Sequence, residues 1–491
     1  MQREVTHRPY GQIVKPADTM VRYVNSWRVV KAATIMNWHR RLYSRERILQ
    51  MQRENLRRLL RYAVARCPFY AEQVRGKDPD NLDIRDFRPV DKALLMENFD
   101  RIVTDPAATR EEAAAFVADP ERVGQLFLGR YVASHTSGSS GLRGIFLSDQ
   151  WAWEMGQALS LTSGGQFPRF KFRDWLRVAA APVAPLPAAA VIPMQGHYAS
   201  VLIPRIMGSW TRRVVDINLL EITDPFQVIV DRLNEINPFG LHSYPSMLDI
   251  LARFRERGEL NINPPMITAG GEPFTDDIMR KVKRAWPGVV VYDIYAATEV
   301  LGLAKTCNEG TYHLNEDWIL VENVDGDGRP VPPGERGDKI YVTSLYNYLM
   351  PLVRYEMTDS LIFNTEPCAC GMPTVGIKIL GRTNHTLHLP GAQGGSVVIL
   401  PTPLLVAFMD VPGLRQYQIV QEKTDRLHVN FVPEDGRDAE QVRAEIVRVF
   451  GAYLKKHGAR ENLKLTFTQL PEIPRDHRTH KVMQIINKVA A

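Results

Sequence analysis

The chain is poor in cysteine, with four in 491 residues, at Cys67, Cys307, Cys368 and Cys370. So few thiols in so long a chain exclude a disulfide scaffold, and a reducing cytoplasm is the expected compartment. Long apolar runs are missing as well. The opening MQREVTHRPY has no signal-peptide core. The longest uncharged stretch, 178–194 (VAAAPVAPLPAAAVIPM), carries four prolines and falls short of the roughly 20 helical residues that a bilayer core needs. It reads as a buried strand and loop bordering a substrate pocket, so no membrane partner is expected. No run of like charge occurs either: 61 Lys and Arg against 55 Asp and Glu leave +6, scattered along the chain. That balance suits small acidic ligands and carries no nucleic-acid footprint. Internal repeats and low-complexity tails are absent.

A composition of 45% apolar and 24% charged residues belongs to a folded protein, and 491 residues are too many for one ordinary core. Two or more domains follow. Residues 45–73 place Leu49, Leu56, Leu59, Leu60 and Ala63 at helical spacing up to Pro68, with a basic outer face read as solvated. From about 125 to 380, apolar strand-like runs alternate with helical segments, the mark of α/β architecture, and 300–380 reads as richer in strand. After Arg382 the order becomes a Gly-rich stretch, two strands, a helix and a strand. The expected fold class is therefore α/β: a large domain of mixed sheets over 1–382, and a small α+β domain over 383–491.

Three segments carry chemistry. The first, His135-Thr136-Ser137-Gly138-Ser139-Ser140-Gly141-Leu142-Arg143-Gly144, follows a strand-like run; its glycines let backbone approach a phosphate and its hydroxyls donate to phosphate oxygens. It lacks the GK[ST] ending of a P-loop, and a plain Ser/Gly turn remains its bland alternative. In the second, Asp293-Ile294-Tyr295-Ala296-Ala297-Thr298-Glu299, a strand ends on an aromatic that can stack on a base, with a carboxylate beyond it that can hold a metal. The third, residues 351–359, offers Asp359 as a fixed acid able to read a ribose diol. Each of the last two is also readable as a strand-end salt bridge or turn. Cys307 and His313 form a fourth feature with Cys368 and Cys370. These Cys₃His residues match tetrahedral zinc, against the alternative of unrelated small buried side chains. Cys67 reads as core.

In this order the motifs resemble the adenylate-forming superfamily, and within it the phenylacetate–coenzyme A ligase family. The resemblance also takes in LRRLLRYAVARCPFY, TAGGEPFT, EDWILVENVD, PLVRYEMTD, CACG and Gly381-Arg382, over roughly 45–490. It implies that Thr136, Ser137, Gly138, Ser139, Ser140 and Gly141 close over ATP phosphates, that Gly270, Gly271 and Glu272 line the adenine side, and that Tyr295 and Ala296 meet the base. It further implies that Thr298 and Glu299 hold the α-phosphate and Mg²⁺, that Asp359 binds the ribose, that Arg382 marks the domain junction, and that Lys481 is the adenylation lysine. His242, Tyr244, Pro245 and Ala297 fall in the acid pocket, with His197 and Tyr198 nearby, and the cysteine–histidine set becomes a structural zinc site.

The implied function is ATP- and Mg²⁺-dependent activation of a carboxylic acid, aromatic by this resemblance, to an acyl adenylate, followed by transfer to coenzyme A as the small domain rotates. A ligase with another acceptor, such as an amine, and a non-catalytic nucleotide-binding homologue are the alternatives. Monomer and homodimer stay open. The chain departs from the family pattern at Leu142-Arg143, where a lysine is usual, and at Thr383-Asn384-His385, where paired aspartates follow the Gly-Arg. Both departures fall where lid movement and thiol delivery would be controlled.

Overall fold

The computed structural model describes residues 23–136, 143–162, 168–192, 194, 196–206, 213–222, 224, 226–272, 274–382, 387–399, 404, 408, 411–456, 458–460, 463–474 and 483–489. Its centre is a nine-stranded mixed sheet. Five strands run parallel in spatial order β4 (Val215–Glu221), β3 (Leu186–Ile192), β5 (Gly240–Ser243), β6 (Met266–Gly270) and β7 (Val290–Tyr295). Parallel neighbours need crossovers, and helices Phe226–Ile236, Pro245–Glu256 and Asp276–Ala285 supply three of them. The last is capped by Thr275, with Asp276 and Asp277 in its first turn and Lys283 and Arg284 in its last, each charge matched to the helix dipole. The strand residues Ala189, Val191, Leu220, Leu241, Ile267 and Ala269 form a buried apolar layer with these helices. By the two-residue period of a strand, His242, Thr268 and Tyr292 point to the opposite face.

Beyond β7 the sheet turns antiparallel through β8 (Ala304–Thr306), β9 (Tyr312–Leu314), β14 (Gly376–Arg382) and β13 (Asp359–Phe363). A three-stranded sheet of β10 (Ile319–Val324), β11 (Lys339–Ser344) and β12 (Tyr355–Met357) and a hairpin of β1 (Val132–His135) and β2 (Ile145–Ser148) complete this region. Residues 387–485 have a hydrophobic cluster of their own. It joins a hairpin, β15 (Leu387–Pro390) and β16 (Ser396–Ile399), to a sheet ordered β19 (Lys464–Gln469), β18 (Arg426–Pro433), β17 (Leu414–Lys423), β20 (Ile485–Asn487), covered by helix Ala439–Lys456. Buried Gln421 ties the two together, exchanging hydrogen bonds with the backbone of His388 at 3.0 and 2.6 Å.

Helix Arg45–Arg66 ends at Cys67 because Pro68 starts a new short helix, and Leu59, Leu60 and Ala63 are buried along it as their spacing requires. An unpredicted helix, Ser26–Leu42, precedes it. Its buried Arg40 donates to Asp317 at 2.5 Å and to Thr162 at 2.8 Å, so an arginine on the first helix holds a carboxylate just beyond β9. Deleting either charge of such a pair costs about 3–5 kcal/mol, since the other is left buried alone.

The uncharged stretch 178–194 corrects the sequence reading in part. Its second half is β3, inside the parallel sheet, but its first half ends helix Phe172–Ala180 and, apart from buried Ala181, lies mostly on the surface with Val183 exposed to solvent. Among the described residues no helix is long and apolar enough to cross a membrane.

Candidate active site and metal centre

Tyr295 is the last residue of β7, and the chain reverses through Ala296, Ala297, Thr298 and Glu299 to return as β8. The reversal is fixed from below. Ala297 donates its N–H to Val300 O at 3.1 Å, and the Tyr346 hydroxyl donates to Leu301 O at 2.9 Å. Gly302, at φ 66°, and Gly156 admit close approach of helix Gln150–Leu161: a Cβ at Gly302 would stand 2.6 Å from Leu159 Cβ. Ala297 is therefore buried while Thr298 and Glu299 stay partly open.

Tyr355 joins the three predicted motifs, a role that its place within the third segment did not single out. Its hydroxyl donates to Glu299 Oε1 at 3.5 Å, and its ring takes Phe146 of β2 edge-on at 5.8 Å. Four residues on, buried Asp359 opens β13 opposite Arg382 of β14. Tyr355 is held in place by Arg354, which adopts φ 52° and whose guanidinium donates to Glu322 Oε2 and to Phe87 O, both at 3.0 Å. Left-handed backbone at a residue other than glycine costs on the order of 1 kcal/mol and persists only where its surroundings impose it.

The hairpin β1–β2 carries the neck of the Ser/Gly segment. Thr136 N–H donates to Gly144 O at 2.9 Å, and Gly144 N–H donates to the Thr136 hydroxyl at 3.0 Å. Next to it, buried His135 donates through Nδ1 to Thr136 O at 2.9 Å and accepts His197 N–H at Nε2, 3.3 Å, which fixes one neutral tautomer. Burial moves its pKa down to about 4. Its ring meets Tyr198 edge-on at 4.7 Å, and two residues later Ser200 Oγ lies 3.5 Å from the Tyr244 hydroxyl. A continuous path thus runs from the neck at Thr136 to the expected acid pocket.

In that segment Tyr244 is buried at the N-cap position of helix Pro245–Glu256, without a side-chain capping bond, and Pro245 takes the first helical position, where a missing N–H costs nothing. Burial first, and the nearby Glu272 and Tyr198, hold its phenol protonated. His242 bonds Thr268 Oγ1 at 2.9 Å, and burial lowers its pKa to about 4, so it is neutral at physiological pH. At the end of β6, a Cβ on Gly270 would stand 3.0 Å from Ile294 O and Gly271 adopts φ 80°, so both positions of this turn suit glycine. Two ionisable groups lie nearby: buried Asp293, which opens the second sequence segment without a role of its own, and half-buried Lys305, which had no sequence signal. Asp293, bonded by the Tyr312 hydroxyl, has its pKa raised to about 6 by burial, and Lys305, with Nζ 4.3 Å from the Tyr292 ring centroid, has its own lowered to about 8 for the same reason.

The cysteine–histidine set comes together. Ligand atoms of Cys307, His313, Cys368 and Cys370 all lie within 4.8 Å of one another. Cys307 Sγ and Cys368 Sγ are 3.9 Å apart, far beyond a disulfide, and Cys370 Sγ is 3.3 Å from His313 Nε2. A tetrahedron with bonds of about 2.0–2.3 Å has edges of roughly 3.5–3.8 Å, so these separations suit one zinc ion. His313 Nδ1 donates to Thr374 O at 3.0 Å, which turns Nε2 toward the sulfurs. Burial pushes the Cys307 thiol up and lowers His313; at Cys368, hydrogen bonds from Thr311 and the neighbouring cysteines outweigh burial and bring the thiol down.

Ser137, Gly138, Ser139, Ser140, Gly141 and Lys481 lie outside the described residues, as do Thr383, Asn384, His385 and the side chain of Arg382.

No model of a protein family matches the chain. Over 398 residues it is 27% identical to a phenylacetate-coenzyme A ligase of Thermus thermophilus, a match covering 78% of this chain and 80% of that protein. It is 24% identical over 251 residues to protein CapK of Staphylococcus aureus, covering 50% of this chain and 53% of CapK. Among solved structures, 2-hydroxyisobutyryl-CoA ligase in the postadenylation state, in complex with 2-HIB-AMP, superposes with a TM-score of 0.64 at 18% identity, over 98% of this chain and 95% of that one. The same ligase in the thioesterification state, with 2-HIB-AMP and CoA, gives 0.51 over the same shares. The expected fold class is thereby met: a large α/β region followed by a small one, as in that ligase.

Proposed function

We propose that this homologue of phenylacetate–coenzyme A ligase, an adenylate-forming ligase by its relatives and fold, activates an aromatic carboxylic acid as its acyl adenylate and passes the acyl group to coenzyme A. The observation that carries the reading is the meeting of three sequence-distant motifs around Tyr355: the neck Thr136–Gly144 through Phe146, the reversal at Glu299, and the strand opened by Asp359. In the reaction a carboxylate oxygen attacks the α-phosphorus, pyrophosphate leaves, and negative charge on the phosphoryl oxygens must be met. We assign that task to Glu299, through the Mg²⁺ it would bind, with Thr298 donating to the α-phosphate and Lys481 supplying a cation. Tyr295 and Ala296 would meet the base, Gly270, Gly271 and Glu272 line its edge, and Asp359 accept from the ribose.

His242, Tyr244, Pro245 and Ala297 would shape the acid pocket. Neutral His242 and Tyr244 suit an aromatic acid, because they offer polar contacts without an opposing charge. The boundary near Arg382 and a rotating lid from 383 onward belong to the same proposal. The separate hydrophobic cluster of 387–485 supports it. Cys307, His313, Cys368 and Cys370 would hold zinc with no open position, a structural role.

The test is ATP–pyrophosphate exchange across a panel of acids, followed by product mass with coenzyme A or amines as acceptor. Exchange with an aromatic acid and a thioester product are expected. Exchange without any thioester would overturn the acceptor, and no exchange with any acid would overturn the activity.

A further inference from the structure

Helix Phe172–Ala180 is turned the wrong way round for a soluble protein. In the run 168–184 (PRFKFRDWLRVAAAPVA) apolar residues recur at 172, 175, 176, 179, 180 and 183, the spacing of a helix face meant for burial. Yet Phe172 is 78% exposed, Leu176 55%, Trp175 37% and Val183 88%, while the buried residue of the helix is the acidic Asp174. The helix is not loosely attached. Phe170 packs edge-on against Phe239 at 5.5 Å and against Trp175 at 5.4 Å, Arg177 lies 4.8 Å over the Phe239 ring, and Arg169 pairs with Glu309 at 2.6 Å. Its flanks are basic. Arg169, Lys171, Arg173 and Arg177 are four cations, and among the described residues the acids that pair with them are Asp174, 3.7 Å from Arg173, and Glu309, so four minus two leaves +2.

We propose that this helix docks the protein on the surface of an anionic lipid bilayer. Exposed Phe, Trp, Leu and Val flanked by Lys and Arg, with no exposed acid within 168–184, is the composition of a helix that lies in the membrane interface. Charge selects this occupant over a second copy of the chain. A two-fold contact would set one group of cations against its duplicate, whereas an anionic surface neutralises both flanks. Nine residues span only about 14 Å, so the helix lies on a bilayer and does not cross it. Its position also sets an orientation. Phe239 immediately precedes β5, and Lys171 lies against Gly288, two residues before β7, so the helix sits at the starting ends of the parallel strands. Gly270 and Tyr295 stand at the finishing ends, about 20 Å away for strands of some six residues. The candidate site therefore opens away from the lipid, and its ligands arrive from water. The inference does not depend on the proposed reaction.

The full chain would be co-sedimented with phosphatidylcholine vesicles, with and without about one-third phosphatidylglycerol. Expected are at least tenfold tighter binding to the anionic vesicles and loss of about tenfold or more in Phe172→Ser/Leu176→Ser, at unchanged pyrophosphate exchange and melting temperature. Lys171→Gln/Arg173→Gln should lose about tenfold and abolish most of the salt dependence. Failure of the wild-type chain to bind anionic vesicles, or full binding by the serine variant, overturns the proposal. So does a dimer that the serine variant dissociates with no vesicle binding in either protein, since a second copy would then cover the helix.

Discussion

Replacing Cys370 by serine should remove a bound zinc ion and destabilise the region between β8 and β14. The cost follows from the chain the site closes. Cys307 and Cys368 are 61 residues apart, and a cross-link over 61 residues removes about 14 cal/mol/K of entropy from the unfolded chain, or about 4 kcal/mol at 25 °C. Zinc–thiolate bonding adds to this, while deprotonating Cys307 and Cys370, both raised by burial, subtracts from it. A loss of about 4 kcal/mol lowers the melting temperature by on the order of 10 °C. The assay is metal content by mass spectrometry after gel filtration, with calorimetry before and after chelation. One zinc per chain is expected in the wild type, none in Cys370→Ser, and one in Cys67→Ser, because Cys67 is buried elsewhere and donates to Ile102 O at 3.0 Å. Wild-type protein without zinc, melting with Cys370→Ser to within about 2 °C, would refute the reasoning.

Glu299→Gln should lower pyrophosphate exchange by about a hundredfold or more, and Tyr355→Phe by less than about tenfold, since its 3.5 Å contact positions Glu299 without meeting substrate. Exchange at the wild-type rate in Glu299→Gln would remove that residue from the site. Lys481→Ala should impair adenylate formation while sparing thioester formation from supplied adenylate, and equal losses in both half-reactions would count against its assignment. The third expectation concerns acid stability. Free histidine takes a proton near 6.5, but burial holds His135 down to about 4, so between those values the unfolded chain binds the proton and the native chain does not. Stability from this group is complete above about 6.5 and falls toward pH 4 by up to about 1.4 kcal/mol per unit. Equal slopes in His135→Gln and wild-type protein across that window, by urea denaturation, would show that the imidazole is not buried neutral.

What the sequence disclosed and what it hid have separate physical causes. The parallel sheet was legible because each strand needs a crossover, so apolar runs alternate with amphipathic helices along the chain itself. The metal set was legible because thiols and imidazole are rare enough for proximity to be guessed from residue type. Tyr355 was hidden, since its role rests on Glu299 and Phe146, residues 56 and 209 positions away, and no spacing rule links them. The same holds for Arg40 and Asp317, 277 residues apart, and for β20, a three-residue strand that exists only because β17 offers it an edge. The run 178–185 misled for another reason. Its apolar residues suggested burial, which periodicity alone cannot distinguish from an apolar face turned outward.

The parallel sheet also sets which end of the molecule can hold anions. Helices Pro245–Glu256 and Asp276–Ala285 begin at the finishing ends of β5 and β6; the first, beside His242, has no acid in its first turn and turns its positive dipole end toward the proposed acid, whereas Asp276 and Asp277 offset the dipole of the second. Their last turns, at the opposite end, carry Arg253, Arg255, Lys283 and Arg284 against the negative dipole ends. A chain of only +6 can thus offer favourable potential at both ends of one sheet: from backbone dipoles at the proposed site, where side-chain cations are few, and from side chains at the far end, where the basic helix Phe172–Ala180 lies. Salt separates the two contributions. Dipoles at a partly buried site are screened little, whereas exposed cations lose most of their reach beyond a Debye length of about 8 Å. Raising ionic strength should therefore weaken vesicle binding while leaving pyrophosphate exchange nearly unchanged.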